Sequence, residues 1–237
     1  MAIRLRIGDI LAVPLCCGLL AFASCQTVPP RYGSPLLAAV EQGDIKAVQK
    51  LLEQGASPNE QGPYGLTPLR LAAQFGHMEV ARLLLESGAN VHAKTAAGRT
   101  PLAIAALYGR TDLARMLIER GAKVDARDAG GQTPLMSAQL FGKDGTTRLL
   151  LERKAAVNAV DLEGSTALMF AALFGQRGTL EILLESGADP NLKNKEGKTA
   201  LDLARAKEEN EAIIKILEEV TKDKAEKPSA GETKSAP

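Results

Sequence analysis

The chain has no tryptophan, only two histidines and three cysteines, and just three Tyr and five Phe in 237 residues. A globular core of this length ordinarily leans on large aromatic side chains, so their scarcity beside abundant Ala, Leu and Gly points to many small, similar helix contacts. An excess of one charge is also missing, since 29 Lys and Arg face 28 Asp and Glu. A surface that neutralises phosphates needs a basic excess, and no basic run interleaved with aromatics occurs, so no nucleic-acid partner is expected. Neither His77 nor His92 belongs to a cluster with zinc spacing, and no helix carries paired acidic ligands. Gly130-Gly131-Gln132-Thr133 and Gly142-Lys143-Asp144-Gly145 hold Gly, Lys and Thr together without the spacer and order of a phosphate-cradling loop. No cofactor, metal, small-molecule substrate or enzymatic reaction is therefore expected.

Long apolar runs are confined to the N-terminus. Arg4 and Arg6 precede a mostly apolar stretch from Ile10 to Ser24 that ends in small residues, the three-part layout of an export signal. As a helix this stretch would reach about 22 Å, short of a hydrocarbon core about 30 Å thick, so a permanent span is the poorer reading. Two cleavage readings compete: Ala21-Phe22-Ala23 fits a small-x-small site, and Phe22-Ala23-Ser24-Cys25 resembles a bacterial lipobox, with Phe22 where Leu is usual. Cys16 and Cys17 would leave with the signal, so Cys25 would remain as a lone thiol in an oxidising compartment. It makes sense there as the lipid-bearing residue. The expectation is a signal over 1–24, a tether over 25–33 and an outer-membrane lipoprotein facing the periplasm, with a soluble periplasmic or secreted form as the alternative. Gln26, rather than Asp, after the cysteine implies forwarding to the outer membrane in such lipoproteins.

Self-similarity dominates the rest. Ser34-Pro35, Thr67-Pro68, Thr100-Pro101, Thr133-Pro134, Thr166-Ala167 and Thr199-Ala200 recur every 33 residues without an insertion. Thr caps a helix start and Pro is pre-set for its first turn, so a short helix opens at each dipeptide. Gly43, Gly76, Gly109, Gly142 and Gly175 end it. A second helix places apolar residues such as Val80, Leu83 and Leu84 on one face and stops at Gly55, Gly88, Gly121 or Gly187. The stretch before the next start reads as a turn with two short extended arms.

Helix, turn, helix and hairpin at this period, opened by Thr-Pro-Leu, resembles the ankyrin-repeat family. The resemblance implies an all-α repeat solenoid of six units, 34–66, 67–99, 100–132, 133–165, 166–198 and a capping 199–220, followed by a disordered tail over 221–237. The His usual two residues after the Pro is replaced by Leu37, Arg70, Ala103, Met136, Met169 and Asp202, so hydrogen bonds that it makes between family repeats are missing. His77 stands at the Gly-His position with a structural role in the turn, and His92 reads as solvated. Repeat four departs most, with Ser137 and Gln139 at apolar or Ala positions, Gly145 read inside its second helix and Lys154 in place of the terminating Gly. A soft joint is expected there, shared with Gly178.

Family members commonly contact partner proteins on the concave side. Here Phe75, Tyr108, Phe141 and Phe174 recur at one register position, preceded by Gln74, Leu107, Leu140 and Leu173. Either these residues form a partner-binding stripe, rimmed by the hairpin residues Tyr64, Leu66, Arg99, Gln132 and Lys198, or each aromatic covers the joint between its own helices. The expected function is to sequester, inhibit or stabilise another protein in the envelope. A membrane-anchored scaffold contacting the wall is the alternative.

Overall fold

The computed structural model describes residues 33–207 and 210–226. The signal over 1–24 and Cys25 therefore lie outside the described residues. Twelve α-helices are described, in pairs: α1 Pro35–Gln42 and α2 Ile45–Glu53, α3 Pro68–Phe75 and α4 Met78–Glu86, α5 Pro101–Tyr108 and α6 Thr111–Glu119. The second half continues with α7 Pro134–Gln139 and α8 Asp144–Glu152, α9 Ala167–Leu173 and α10 Arg177–Glu185, α11 Ala200–Arg205 and α12 Glu211–Glu226. The odd-numbered helices form one layer and the even-numbered ones a second. Each helix packs on its pair-mate and on its neighbours in its own layer, which is the all-helical solenoid expected from the repeat.

The local sequence explains every first helix. Thr67, Thr100, Thr133, Thr166 and Thr199 each accept through Oγ1 the amide N–H three residues on, at 3.3–3.4 Å. Such a cap contributes about 1 kcal/mol. In the last repeat Asp202 answers by accepting the Thr199 N–H and hydroxyl, at 2.9 and 2.8 Å. These hydrogen bonds hold its carboxyl below the ordinary carboxylate range. The stacking surface is then Leu and Ala: Leu69, Leu102, Leu135 and Leu168 are at most 1% exposed, as are Ala72, Ala105, Ala138 and Ala171. Each fully buried Leu contributes about 1.5–3 kcal/mol, and the Ala positions let backbones approach closely enough for a core without Trp.

Two expectations need correction. The extended arms are not a β-hairpin by pairing: only the isolated antiparallel bridges Gly62–Leu66 and Val160–Thr166 occur among the described residues. Each loop is closed by a single backbone hydrogen bond: the N–H groups of Gly62, Thr95, Asp128, Asp161 and Asn194 donate to the carbonyls of Leu66, Arg99, Gln132, Ser165 and Lys198 at 2.8–3.0 Å. In the last three a side chain reinforces it: Asp128 Oδ1 accepts the N–H groups of Gly130 and Gln132, Asp161 those of Glu163 and Ser165, and Asn194 those of Glu196 and Lys198. Short Asx chemistry supports one backbone pair where so short a loop cannot build a ladder. Second, the tail is not irregular from residue 221. Helix α12 runs on to Glu226, because Ile213 and Leu217 anchor it and the residues beyond are mostly good helix formers. Residues 227–237 lie outside the described residues.

Gly145 lies inside α8 as expected, in its first turn, and Gly178 holds the same second position in α10. There a β-carbon on Gly145 would meet Thr111 Oγ1 at 3.1 Å, and one on Gly178 would meet the Asp144 carboxylate at 2.6 Å. These glycines serve close approach between repeats rather than flexibility. Other features mark repeat four. Lys154 takes the left-handed conformation at φ 65 where the sibling repeats have Gly, at a cost of about 1–2 kcal/mol. Gln139, fully buried where Ala73, Ala106 and Ala172 stand, donates to Leu135 O and Thr147 Oγ1 but leaves its Oε1 without a partner.

Candidate binding face

Successive repeats are stitched together along the loops and at the turns within each pair, and this stitching sets the geometry of the concave side. Along the loops, the N–H groups of Ala96, Ala129, Leu162 and Lys195 donate to the carbonyls of Tyr64, Ala97, Gly130 and Glu163 in the preceding repeat, at 2.9–3.1 Å. The approach is so close that a β-carbon on Gly98 would sit 2.7 Å from the Ala129 nitrogen. At the turns, the residue before each second helix lies on the left-handed glycine of the repeat before it: His77 on Gly43, Arg110 on Gly76, Lys143 on Gly109 and Gln176 on Gly142. His77 Nε2 is 2.9 Å from the Glu41 carbonyl oxygen, and Arg110 Nε donates to Gln74 O at 3.2 Å. The expected turn role of His77 is thus joined by a contact to the neighbouring repeat.

The predicted stripe residues fare unequally. Leu107 is 5% exposed and Leu66 7%, so neither offers surface to a partner, and both are withdrawn from the face. Helix α5 is apolar all round, with every residue from Pro101 to Leu107 buried. Leu66 closes its loop through the bridge to Gly62 and joins the core. Phe75, Tyr108 and Phe174 are half-buried and lean on the core, so the joint-covering role accounts for much of their surface. Phe75 stacks on His77 with ring centres 5.9 Å apart, and Phe174 stacks on Phe170 at 6.3 Å. Gln74, Leu140 and Leu173 are half-buried beside them.

Phe141 differs. Helix α7 stops two residues before it, the Leu140 N–H reaching back only to Ser137 O, and the Phe141 side chain is left 48% exposed. On the rim, Tyr64 is 90% exposed at a left-handed φ of 59, a conformation rare for a ring-bearing residue. Arg99 and Gln132 are half-buried. Arg99 Nε meets Asp128 Oδ2 at 3.4 Å, and Lys198 meets Glu196 at 2.9 Å. That ion pair and hydrogen bond hold the exposed Glu196 carboxyl below its ordinary range.

Val160 and Leu162, 41% and 58% exposed on the loop between repeats four and five, join the exposed apolar surface. Nothing in their sequence context distinguished them. Of the turn residues only His77 was picked out from the sequence, although Arg110, Lys143 and Gln176 likewise follow a repeat glycine at the 33-residue spacing. Two grooves of about 370 and 300 Å³ open between second-layer helices, one against α8 and α10 beside Arg148, Glu152 and Ile182, the other against α2 and α4 beside Gln49, Leu52 and Leu83. They lie away from the aromatic stripe. Among the described residues no group of three or more His, Cys, Asp or Glu could hold a metal ion, and no helix is long and apolar enough to cross a membrane.

A family model described as ankyrin repeats, in three copies, matches residues 36–128 and again 123–194. The chain therefore belongs to the ankyrin-repeat family, whose members are generally modules for protein–protein interaction and typically not enzymes. Comparison with curated proteins gives no match.

Proposed function

We propose that this protein binds another protein on the concave side of its solenoid and does so at the bacterial envelope, sequestering, inhibiting or stabilising that partner. The observation behind this reading is the column Phe75, Tyr108, Phe141 and Phe174, which core packing leaves partly uncovered in four successive repeats. Adjacent rungs of packed helices lie about 8–10 Å apart, so the column extends on the order of 30 Å, a length suited to a protein surface. The solenoid backs it: along the loops successive repeats are hydrogen-bonded to one another, and at the turns His77 and Arg110 add bonds to the preceding repeat. Cys25 is, in the same proposal, a lipid anchor that holds the module to the outer membrane on its periplasmic side.

Two measurements test this. Envelope extract passed over the immobilised protein is expected to yield a partner that a Tyr108→Ala/Phe141→Ala variant with unchanged circular dichroism fails to retain. Equal retention by that variant would refute the concave face. Mass spectrometry of the N-terminal peptide is expected to find acyl groups on Cys25, and a Cys25→Ser variant is expected to leave the membrane fraction. An unmodified N-terminus at Ser24 would dispose of the anchor.

A further inference from the structure

Repeat four breaks the ring column, and the break places a half-exposed ring among unpaired cations. The Lys143 ammonium lies 5.9 Å from the centre of the Phe141 ring, and Lys207 lies 5.7 Å from that of Phe174. Arg110 stands one repeat before Lys143 at the same register. None of these three cations makes an ion pair among the described residues, a state shared with Arg115 and Arg148; what sets Lys143 and Lys207 apart is the ring beneath each.

Their positions are fixed by packing instead. A β-carbon on Gly76 would meet Arg110 Cδ at 2.9 Å, and one on Gly109 would meet Lys143 Cδ at 2.7 Å, so both stems lie flat on bare glycine. Long cations restrained in this way lose less rotamer freedom when an anion arrives. Two acids share this edge. Asp112 and Asp144 stand in the first turns of α6 and α8, where unpaired N–H groups attract negative charge, and Asp144 also lies over Gly178 at the start of α10.

We propose that Tyr108, Arg110, Leu140, Phe141, Lys143 and Phe174 dock an acidic peptide segment of a partner protein, its apolar side chains covering Phe141 and its carboxylates pairing with Arg110 and Lys143. This rests on the protein-binding reading above and adds the partner's charge. Rungs about 8–10 Å apart match carboxylates three residues apart on a polyproline-II chain, whose three residues per turn at about 3.1 Å each return them to one side.

The test is fluorescence anisotropy of the full chain with a dye-labelled Glu-Leu-Phe-Glu peptide and its Gln-Leu-Phe-Gln counterpart. The Glu peptide is expected to bind about tenfold or more tightly than the Gln peptide at low salt, with the advantage shrinking as salt is added. Lys143→Glu and Phe141→Ala should each weaken it about tenfold with circular dichroism unchanged. Arg148→Glu, the same charge change in the groove beside α8, should leave it intact. Equal binding of the two peptides, an Arg148→Glu loss as large as that of Lys143→Glu, or binding to vesicles of anionic phospholipid without binding to the peptide would each overturn the proposal. A captured partner that survives Lys143→Glu but not Tyr108→Ala/Phe141→Ala overturns the charge assignment alone. One that survives both overturns the concave-face reading as well.

Discussion

Asn59 and Asn158 do the same work three repeats apart along one column. Asn59 Nδ2 donates to Gly88 O at 2.9 Å while its Oδ1 accepts the Asn90 N–H at 2.7 Å, and Asn158 repeats both bonds with Gly187 O and the Asp189 N–H. Asp125, which lacks an amide to donate, keeps only the accepting half, from the Ala156 N–H at 3.1 Å. His92 occupies the remaining place at the 33-residue spacing between Asn59 and Asp125. Its exposed imidazole makes no such bond, which agrees with its reading as a solvated residue but leaves the joint between repeats two and three without this clasp. His92→Asn is therefore expected to stabilise the protein by about 1 kcal/mol, the net contribution of one or two hydrogen bonds formed at a surface. Denaturant unfolding checks it; an unchanged or lower midpoint would show that the loop cannot present the amide as its siblings do.

At the scale of the element, repeat four concentrates the molecule's local costs. The Gln139 Oε1 is buried without a partner, which costs about 1–3 kcal/mol, and Lys154 adds left-handed strain. Ser137 stands where the siblings place Leu71, Ile104 and Phe170, and it returns its hydroxyl to Thr133 O at 3.3 Å rather than filling apolar volume. Thr146 and Thr147 are buried in α8, where Val80 and Ala81 sit in α4, and Thr146 shares a hydrogen bond of 2.8 Å with Thr111. Amides of residues 137–154 are accordingly expected to exchange faster than those of residues 100–121, whose α5 and α6 are packed with Leu, Ile and Ala throughout. Equal protection in native-state hydrogen exchange would show that the buried polar cluster holds the repeat as firmly as apolar packing does. The early end of α7 and the outward turn of Phe141 belong to the same departure, so the unit expected to exchange fastest also carries the most exposed ring of the column.

For the whole molecule, stability passes only between neighbours, and the ends decide whether the stack is closed. The N-terminal unit meets solvent with Gln42, Lys46, Gln49 and Lys50 exposed around the single buried residue of α2, Val48. At the other end α12 seats Ile213 and Leu217 against the stack, turns Lys215 and Glu219 outward, and is tied to α11 by Arg205 and Glu218 at 2.7 Å. Truncation before Glu211 would strip two buried side chains from α10 and α11, a loss of about 3–6 kcal/mol at about 1.5–3 kcal/mol each. The truncated chain is expected to melt earlier and to associate on size-exclusion chromatography with light scattering. A monomer of unchanged melting temperature would show that α12 is dispensable as a cap. Surface ion pairs add little to this: Arg120–Glu86 and Arg153–Glu119 join successive second helices, but Arg120, Glu86 and Glu119 are exposed and Arg153 only half-buried.

The period, the Thr caps, the ending glycines and the all-helical stack were legible in the sequence, because a repeat writes its packing positions several times over and the free positions differ between copies. Of the turn residues only His77 was picked out from the sequence; Arg110, Lys143, Gln176 and the Asn59 column share registers at the 33-residue spacing, but their roles emerged with their partners. What the tertiary structure alone decided is exposure and pairing. Leu107 and Leu140 share a register position, yet one is buried in a wholly apolar helix and the other is half-exposed beside a shortened one. Gly145 looked like a flaw in its helix, and together with Gly178 it proved to be a point of contact between repeats in a helix's first turn. The reason is physical. Caps, turns and apolar periodicity depend on residues a few places apart in the chain, whereas burial, close approach and the choice between paired and unpaired charge depend on what a neighbouring repeat, about 33 residues away, brings to the same point in space.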